Sequence, residues 1–583
     1  MRYLALAVDY DGTLAHHGTV SPNTVEALKQ LAATGRKLIL VTGRELEELL
    51  GVFAEIDLFD RVVAENGALL YRPGTRERVP LGDPPPEAFV QALQQKGVPL
   101  ALGASIVATV TPHEVEVLET IRQQGLELQL IFNKGAVMVL PPNVNKASGL
   151  KAALEELRMS CHNVVGIGDA ENDHALLNYC EFAVAVANAV PTLQAEADRT
   201  TTASHGEGVV ELIGDLIADD LRVASAHQKR HQVLLGKRQD GTEVCIPPAW
   251  HNVLIAGSSG SGKSTLASGL LERLCKNGYQ FCVIDPEGDY EEFEGAIVLG
   301  DSDHGPSTNE VLTALEKPDT NVVVNLIGLP LQDRPAFFLG LLPHLQELRS
   351  KTGRPHWILV DETHHLLPTD WESASSMLGE GLTSMIYVTV HPDWVAPDVL
   401  RGVDIVAALG EDPSETLGNF ARAANIHAPT SSKVALEPGQ ALMWFKDSTE
   451  PPFKMKIEPS HTERRRHRRK YAEGELPPDR SFYFRGPSRK LNLRAQNLML
   501  FTQLAEGIDD ETWLHHLRQG DYSRWMQDCV KDDDLAGQVR EIEEDDALSP
   551  QDSRLRVREA VEEHYTLPAT NQSGSAAVPT RRT

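Results

Sequence analysis

Residues 4–13 read LALAVDYDGT, an apolar run that ends directly in two aspartates, Asp9 and Asp11. A short apolar run bounded by polar residues is typical of a buried strand, and it predicts one at Leu4–Val8. Similar runs, each followed by polar or glycine-containing residues and a helical pattern, recur at Lys37–Val41, Val62–Ala64 and Val164–Ile167. This alternation predicts an α/β domain with a parallel sheet over residues 1–215.

The two aspartates follow the first predicted strand, where open α/β sheets bind their ligands. Carboxylates at positions i and i+2 of an extended segment project from the same side. Asp9 could therefore attack a phosphorus atom while Asp11 transfers protons. Pairs of this kind are also common in solvated turns, so the two residues alone do not decide the function.

Two further strand ends and one helix start carry residues suited to a phosphate group. Thr42 offers a hydroxyl at a strand-to-helix turn, and Lys146 could neutralise a phosphoryl group in transfer. Asp169 and Asp173 follow another predicted strand, and carboxylate oxygens of this kind suit Mg²⁺. The alternative for Asp169 is helix capping, and the alternative for Lys146 is an ordinary surface lysine.

In this order, the four motifs resemble those of the haloacid dehalogenase superfamily of phosphohydrolases, and residues 65–68 (ENGA) resemble its Cof-type branch. The resemblance implies that Asp9 forms an aspartyl-phosphate and that Asp11 acts first as acid and then as base. Thr42 and Lys146 would hold the phosphate. The Mg²⁺ ion would be held by Asp9, the backbone carbonyl of Asp11, and Asp169, with Asp173 in support.

The same resemblance implies a small α+β cap of the second type, between the second and third motifs. It corresponds to about residues 82–143, after the Asp83-Pro-Pro-Pro segment. A cap this short suggests a small substrate such as a sugar phosphate or phosphoglycolate, unless the cap has been remodelled.

A second predicted strand–loop–helix unit spans residues 253–265, which read VLIAGSSGSGKST. It contains the pattern G-x-x-x-x-G-K-[ST], whose backbone N–H groups wrap the phosphates of ATP. Lys263 would reach the β- and γ-phosphates, and the Ser264 hydroxyl would bind Mg²⁺. The predicted nucleotide-binding residues are Gly257, Ser258, Ser259, Gly260, Ser261, Gly262, Lys263, Ser264, Thr265 and, further along the chain, Asp361.

About residues 233–460 resemble the HerA/FtsK-type ATPases, a class of ring-forming motors. Residues 281–290 (FCVIDPEGDY) and 361–368 (DETHHLLP) carry this resemblance, with Asp361 holding the Mg²⁺ shell and Glu362 polarising the attacking water. The polar sensor usual in the class is replaced after the next strand, where Thr389 or His391 could substitute. Arg354 and Arg401 are candidate arginine fingers, although for each taken singly the favoured interpretation is a surface salt-bridge residue.

The remaining segments carry no assigned chemistry. Residues 216–232 and 461–480 are predicted linkers, and the second includes a basic run, Arg464–Lys470. That run could contact nucleic acid or be a solvated linker. Residues 481–565 are predicted to be mostly helical, with their aromatic residues in a core, and residues 566–583 to be a disordered tail.

Composition narrows the functional classes. The 583 residues carry a net charge of −28. The protein should therefore be soluble, and most of its surface should repel nucleic acid and anionic membranes. Six scattered cysteines without a C-x-x-C pair argue against a disulfide framework or zinc cluster and fit a cytoplasmic setting. The N-terminus lacks a signal-peptide pattern, and no apolar stretch is long enough to span a membrane.

Together these observations predict two doubly wound α/β domains and a helical C-terminal module. The favoured function is a Mg²⁺-dependent phosphatase for a small phosphate ester, fused to an ATP-hydrolysing domain that could form a homo-oligomeric ring. One alternative is a kinase/phosphatase acting on a small molecule or a polynucleotide end. Two others are a DNA-associated ring motor with the phosphatase-like domain as an accessory, and a non-enzymatic nucleotide-dependent scaffold.

Overall fold

The computed structural model describes residues 1–133, 135–225, 228, 230–258, 260–369, 382–429, 434–460, 476, 481–487, 491–530, 532–545 and 547–565. These residues divide into two compact units, residues 1–459 and 460–583. Both predicted α/β domains therefore lie in the first unit. The predicted linker 461–480, apart from Leu476, and the predicted tail 566–583 lie outside the described residues.

The first part of unit 1 alternates strands and helices as predicted. Its strands are β1 (Ala5–Asp9), β2 (Lys37–Val41), β3 (Arg61–Ala64), β4 (Leu69–Arg72), β5 (Glu77–Pro80), β6 (Ala101–Leu102), β7 (Val107–Val110), β8 (Gln129–Asn133), β9 (Ala136–Leu140), β10 (Val164–Gly168), β11 (Phe182–Ala185) and β12 (Arg199–Thr200). Its helices are α1 (Pro22–Ala33), α2 (Leu46–Val52), α3 (Glu87–Gln95), α4 (Glu114–Gln124), α5 (Lys146–Leu157), α6 (His174–Tyr179), α7 (Pro191–Glu196), α8 (His205–Asp219) and α9 (Arg222–Ser225).

Eight of these strands form one sheet in the order β12-β11-β10-β1-β2-β3-β4-β5. The strands from β12 to β3 run parallel, and β4 and β5 add an antiparallel edge. Leu6 and Val8 of β1 pack into one core cluster, whereas Ala5 and Ala7 pack into another on the opposite face. Burial on both faces explains why the strand is continuously apolar.

The predicted cap segment contains a separate antiparallel sheet in the order β6-β7-β9-β8. Helices α3 and α4 contact each other, and their buried residues share a core cluster with Val107 and Val139 of the sheet. The cap is therefore an α+β layer with helices on one face only.

The second part of unit 1 is built on an 11-stranded sheet in the order β14-β13-β23-β22-β21-β15-β20-β19-β16-β18-β17. Its strands are β13 (Val233–Lys237), β14 (Glu243–Ile246), β15 (Val253–Gly257), β16 (Phe281–Asp285), β17 (Ala296–Leu299), β18 (Asn321–Asn325), β19 (Trp357–Val360), β20 (Met385–Thr389), β21 (Ile405–Leu409), β22 (Gln440–Phe445) and β23 (Phe453–Ile457). Its helices are α10 (Lys263–Lys276), α11 (Thr308–Leu315), α12 (Arg334–Thr352), α13 (Thr363–Leu366), α14 (Pro397–Arg401) and α15 (Pro413–Ala423).

The seven strands β15 to β21 run parallel, and the antiparallel strands β22, β23, β13 and β14 extend one edge. The four strands predicted for the first part are all present, with ends shifted by no more than one residue, and the strand predicted before the P-loop is present as β15. The antiparallel extension was not predicted from the sequence.

Some described residues of the predicted linker 216–232 are packed against the first part of the chain, whereas others, such as Val223, are exposed. The Arg230 guanidinium donates hydrogen bonds to the carbonyls of Leu177 and Cys180. The buried Gln228 donates one to the carbonyl of Glu181. Its polar side chains thus satisfy backbone carbonyls of the first sheet layer, which a pattern of polar residues cannot distinguish from solvation.

Unit 2 combines a small antiparallel sheet with helices around an aromatic core. Its elements are β24 (Phe482–Phe484), β25 (Leu493–Ala495), α16 (Leu498–Gly507), α17 (Asp510–Arg518), α18 (Asp521–Trp525), α19 (Asp533–Glu544) and α20 (Pro550–Tyr565). Trp513, Tyr522 and Trp525 are buried in its core, which confirms the prediction for those aromatic residues. No helix among the residues that the structure covers is long and apolar enough to cross a membrane.

Candidate active sites

Parallel pairing brings three of the predicted phosphate-handling segments to one edge of the first sheet. Strand β1 lies between β10 and β2, with Asp9 opposite Val41 and Val8 opposite Ile167. Asp9 ends β1, Thr42 directly follows β2, and Asp169 directly follows β10. All three are buried, so the sheet topology converts distant sequence positions into one site.

Lys146 completes this site from the first turn of α5. Its ammonium group lies 2.6 Å from the Asp9 carboxylate and 2.6 Å from the Asp173 carboxylate. Burial raises the pKa of Asp9 to about 7, and Asp173 adds to this rise while Lys146 opposes it. Burial would lower the pKa of Lys146, but Asp173 and Asp9 outweigh burial and raise it. The lysine is therefore a fixed cation rather than a surface residue.

The position of Lys146 depends on a close backbone approach. Asn145 caps α5 by accepting a hydrogen bond from the Ser148 N–H at 3.0 Å. Gly67 has a φ of +104°, and a Cβ atom there would lie 1.9 Å from the Asn145 carbonyl oxygen. Glycine is thus required at position 67 for the start of α5 to reach the strand ends.

Asp9, Asp169 and Asp173 form a buried carboxylate cluster. Each offers an oxygen within 4.8 Å of the others. Asp173 also accepts hydrogen bonds from the backbone N–H groups of Asp169 and Ala170, each at 3.0 Å. Hard carboxylate oxygens suit Mg²⁺, and a bound cation would favour the ionised forms of these acids. The residues present therefore fit this ion.

Asp11 lies apart from that cluster and is paired with an arginine. Its carboxylate accepts two hydrogen bonds from Arg44, from Nε at 2.6 Å and from Nη2 at 2.7 Å. Arg44 also pairs with Glu48, and its backbone N–H donates to the Thr42 hydroxyl at 3.1 Å. The predicted metal contact of Asp11 is through its backbone carbonyl and stays a prediction.

A cavity of about 530 Å³ separates the catalytic edge from the cap. Asp9, Asp11 and Arg44 line one wall. The cap is held over them by Glu65, whose carboxylate accepts hydrogen bonds from the N–H groups of Ala104 and Ser105, both at 2.9 Å. The cavity is therefore bounded by strand-end side chains on one side and by the cap on the other.

The predicted P-loop joins β15 to α10 in the second sheet. Gly260 and Gly262 have φ angles of +76° and +97°, values that favour glycine. Lys263 is buried, and its ammonium group donates to the Ser258 carbonyl at 3.1 Å. Ser264 and Thr265 open the helix. Of the predicted nucleotide-binding residues, Ser259 lies outside the described part of the chain.

Asp361 and Glu362 follow β19, which is separated from β15 by β20. Asp361 is buried, and burial together with Asp285 and Glu362 raises its pKa well above the usual range. A cation at this point would stabilise its ionised form. Glu362 has a φ of +40°, an uncommon backbone conformation that residues at functional sites often adopt.

Thr389, at the end of β20, contacts the residues next to the Asp361 turn. Its hydroxyl lies 3.1 Å from His364 Nδ1 and accepts a hydrogen bond from the His391 N–H at 3.1 Å. The structure thus brings both predicted sensor candidates to the strand neighbouring the P-loop strand.

The arginine-finger prediction is wrong for Arg354. This residue is 1% exposed, and its guanidinium donates to backbone carbonyls, including that of Arg158 in the first part of unit 1. A buried arginine with internal acceptors cannot reach across a subunit boundary. Arg401 is exposed and pairs with Asp398, which confirms its interpretation as a surface salt-bridge residue.

Two contacts at the candidate site were not predicted from the sequence, although both lie within segments named above. Arg44 belongs to the Thr-Gly-Arg turn, but its pairing with Asp11 depends on the approach of two loops. The Asn172 amide donates a hydrogen bond to the Asn66 side-chain oxygen at 2.9 Å. This bond joins the segment after β10 to the segment after β3. No spacing in the sequence encodes either distance.

Each α/β fold of the chain carries one of these sites, and both sites have the residue types found in proteins that bind or transfer phosphoryl groups. Residues 6–100 and 107–213 match the family described as haloacid dehalogenase-like hydrolase. Residues 235–340 match the family described as the central domain of the helicase HerA. Both resemblances predicted from the motifs are thereby confirmed.

Named relatives match the first of these parts. The phosphoglycolate phosphatase of Methanothermobacter thermautotrophicus is 34% identical over 220 residues, which cover 36% of this chain and 96% of that protein. The phosphoglycolate phosphatase of Haloarcula marismortui is 30% identical, over 36% of this chain and 95% of that protein. A crystal structure of a haloacid dehalogenase-like hydrolase from Bacteroides thetaiotaomicron is 19% identical, with a TM-score of 0.34, over 37% of this chain and 99% of that one. By its sequence relatives, the chain belongs to the haloacid dehalogenase-like hydrolases.

Proposed function

We propose that the N-terminal part is a Mg²⁺-dependent phosphatase that hydrolyses a small phosphate ester of the sugar phosphate or phosphoglycolate class. The observation that carries this proposal is the Lys146 ammonium held 2.6 Å from both Asp9 and Asp173. Asp169 lies in the same buried cluster. The names of the relatives, phosphoglycolate phosphatases, support the same class of reaction.

The reaction proceeds in two steps on the chain's own residues. An Asp9 oxygen attacks phosphorus and the bond to the ester oxygen breaks, while Asp11 donates a proton to the departing alcohol. Asp11, now a carboxylate, takes a proton from water, which attacks the aspartyl-phosphate and releases inorganic phosphate. Both aspartates line the cavity below the cap, so both can reach one bound ester.

Thr42 and Lys146 hold the phosphate during these steps. Asp9, Asp169, Asp173 and the backbone carbonyl of Asp11 would hold Mg²⁺, which would neutralise charge on the phosphoryl oxygens when bound. Arg44 keeps the Asp11 carboxylate beside the cavity through its two hydrogen bonds. To act first as the acid, the Asp11 carboxylate has to take up a proton before the first step, which loss of the Arg44 pair would favour.

We infer that the P-loop part binds and hydrolyses ATP. Lys263 would exchange its bond to the Ser258 carbonyl for the phosphates, and Ser264 with Asp361 would hold a second Mg²⁺. Glu362 would orient the attacking water. The match to the HerA central domain over residues 235–340 supports this role.

The phosphatase is tested with a panel of phosphate esters and Mg²⁺, including p-nitrophenyl phosphate. We expect phosphate release by the unaltered chain and loss of at least about 100-fold in Asp9→Asn, because the nucleophile is removed. Asp57→Asn should keep full activity, because Asp57 is exposed and precedes β3, at the opposite end of the parallel strands from the site. Equal turnover in the unaltered chain and Asp9→Asn would refute the proposal.

ATP turnover is measured on the same preparations, with and without DNA. Lys263→Ala should abolish it, whereas Lys276→Ala, at the exposed end of the same helix, should not. Turnover that persists in Lys263→Ala would exclude the P-loop as its source. Transfer of the γ-phosphate to a small acceptor would instead identify a kinase, and stimulation by DNA a motor.

A further inference from the structure

The turn after β3 consists of Glu65, Asn66 and Gly67, which have φ angles of +55°, +53° and +104°. Two consecutive residues other than glycine with positive φ are uncommon. Each residue of this turn contacts a different neighbour. Asn66 accepts the hydrogen bond from Asn172 in the segment after β10, Gly67 admits the start of α5 with Lys146, and Glu65 binds the cap. The turn therefore contacts both the catalytic residues and the cap.

Glu65 binds the cap at the loop between β6 and β7. Its two carboxylate oxygens accept hydrogen bonds from the N–H groups of Ala104 and Ser105, both at 2.9 Å, and Glu65 is 2% exposed. The loop approaches so closely that a Cβ atom on Gly103 would lie 2.7 Å from a carboxylate oxygen. Hydrogen bonds to a carboxylate are about twice as strong as those between neutral groups. Residues 103–105, named the cap latch below, are thus held firmly by one side chain.

The backbone of the same turn is bonded to the catalytic edge. The Glu65 N–H donates to the Arg44 carbonyl at 3.0 Å, and the Asn66 N–H donates to the Thr42 carbonyl at 3.0 Å. The Arg44 side chain in turn pairs with Asp11. Glu65 therefore fixes the cap latch relative to the segment that carries Thr42 and Arg44.

The covalent connections of the cap do not by themselves hold it over the cavity. They lie near Gly82 and Pro141 and touch each other, since a Cβ atom on Gly82 would lie 2.9 Å from the Pro141 ring. Two adjacent connections act as a hinge and leave the cap able to rotate about them. Non-covalent contacts must therefore set how far the cap is closed. Besides the cap latch, these contacts include a small apolar cluster of Ala68, Ile106, Leu140 and Val144.

We propose that Glu65 is a positioning residue for the phosphatase reaction, which acts by holding the cap closed over the bound ester through the cap latch. This inference rests on the proposed phosphatase function. If the closed state binds the ester, the apparent dissociation constant is the intrinsic constant divided by the closed fraction. Loss of the cap latch then raises KM. It changes kcat little, because the bound ester restores the closed state.

The first test measures kcat and KM of Glu65→Gln with Mg²⁺, for p-nitrophenyl phosphate and for the best substrate of the ester panel. Glutamine keeps the size of the side chain, but its NH₂ group would face one of the two backbone N–H donors. We expect KM to rise at least about tenfold, the effect of losing one hydrogen bond to a charged group, and kcat to stay within about twofold. Glu87→Gln, at an exposed glutamate of the cap helix α3, is the matched control and should change neither constant.

The ratio of the two effects decides between a positioning role and a structural one. A smaller folded fraction would lower kcat and leave KM unchanged, so any result in which KM changes less than kcat overturns the inference. Asp9-dependent turnover of p-nitrophenyl phosphate keeps the phosphatase whatever Glu65→Gln does. Turnover that is independent of Asp9 would remove both proposals.

A second variant breaks the same contact from the side of the cap. The φ of Gly103 lies outside the left-handed region, so Gly103→Ala acts through the contacts of its new methyl group. We expect KM to rise as in Glu65→Gln, and the double variant to lie within about twofold of the larger single effect, because both changes remove one interaction. Effects that multiply would show separate roles and refute the cap latch. Gly74→Ala, which meets nothing within 4 Å, should keep the original KM.

Amide hydrogen exchange of the full chain without substrate provides a measurement independent of turnover. The N–H groups of Ala104 and Ser105 are held by Glu65, so both should exchange at least about tenfold faster in Glu65→Gln. Their exchange in Glu87→Gln should match that of the unaltered chain. Unchanged exchange of the cap latch in Glu65→Gln would contradict the proposal.

Discussion

Glu181 is the anion of a buried cluster that joins the two parts of unit 1. Its side chain is 0% exposed and pairs with Arg2 and with His162 Nδ1, the latter at 2.6 Å. It also accepts a hydrogen bond from the Tyr279 hydroxyl at 2.9 Å. Arg2 and His162 belong to the phosphatase-like part and Tyr279 to the P-loop part, so one carboxylate holds side chains from both.

His162 is a cation in this cluster. Burial would lower its pKa, but its interactions with Cys161 and Glu181 outweigh burial and raise the pKa to about 10. Its other ring nitrogen, Nε2, then donates to the carbonyl of Asn277 at 2.8 Å. Burial would raise the pKa of Glu181, but Arg2 and His162 outweigh burial and hold that pKa well below the usual range.

Glu181→Gln would keep the shape of this side chain and remove its charge. Loss of one partner from a buried ion pair costs about 3–5 kcal/mol, because the remaining charge is left uncompensated. Here His162 can release its proton, whereas Arg2 cannot, so we expect the lower end of the range, about 3 kcal/mol.

The free energy of unfolding is measured by urea titration of the full chain, followed by circular dichroism. Glu196→Gln is the matched control, because Glu196 pairs with His174 at 2.7 Å but is 57% exposed. An exposed pair contributes at most about 1 kcal/mol. Equal destabilisation by the two substitutions would refute the reasoning from burial.

Three further predictions concern the same structure. First, the stabilisation from protonated His162 is complete below its unfolded pKa of about 6.5 and is lost as pH rises toward about 10. The urea concentration at the midpoint of unfolding should therefore fall as the pH is raised across this range. Second, Lys146→Met should lower kcat/KM at pH 7 at least about 100-fold. Without Mg²⁺, the pKa of Asp9 should rise above about 7 in this variant because the neighbouring cation is gone, and an NMR titration of Asp9 in the absence of Mg²⁺ checks this shift. Third, Gly67→Ala should lower the free energy of unfolding by more than about 2 kcal/mol, measured from thermal melts, because the positive φ of Gly67 and its contact with Asn145 exclude a Cβ atom.

Each of these predictions has its own control in the chain. Glu181→Gln should flatten the fall with pH, and an unchanged slope would contradict the assignment to His162. Lys151→Met, at an exposed lysine of the same helix, should leave ester turnover intact. Gly74→Ala meets nothing within 4 Å, so a melting shift as large as that of Gly67→Ala would argue against the steric account.

Much of the fold follows from local patterns. Continuous apolar runs such as Leu4–Val8 predict strands that are buried on both faces, because only a sheet covered on both sides excludes water from every residue of the run. The P-loop was equally predictable, since its glycines, lysine and hydroxyl residues must lie next to one another in the chain to wrap a phosphate. The antiparallel edge β22-β23-β13-β14 was not predicted, because strand partners are chosen by packing over long distances.

The candidate sites divide in the same way. The sequence by itself determined which residue types end the strands: Asp9, Thr42 and Asp169. Only the tertiary structure decided that Lys146 lies between two carboxylates, that Arg44 holds Asp11, and that Arg354 is buried instead of poised at a boundary. A strand end is a local property of hydrophobic pattern, whereas a distance of 2.6 Å between residues 137 positions apart depends on strand order and on close approaches such as that of Gly67.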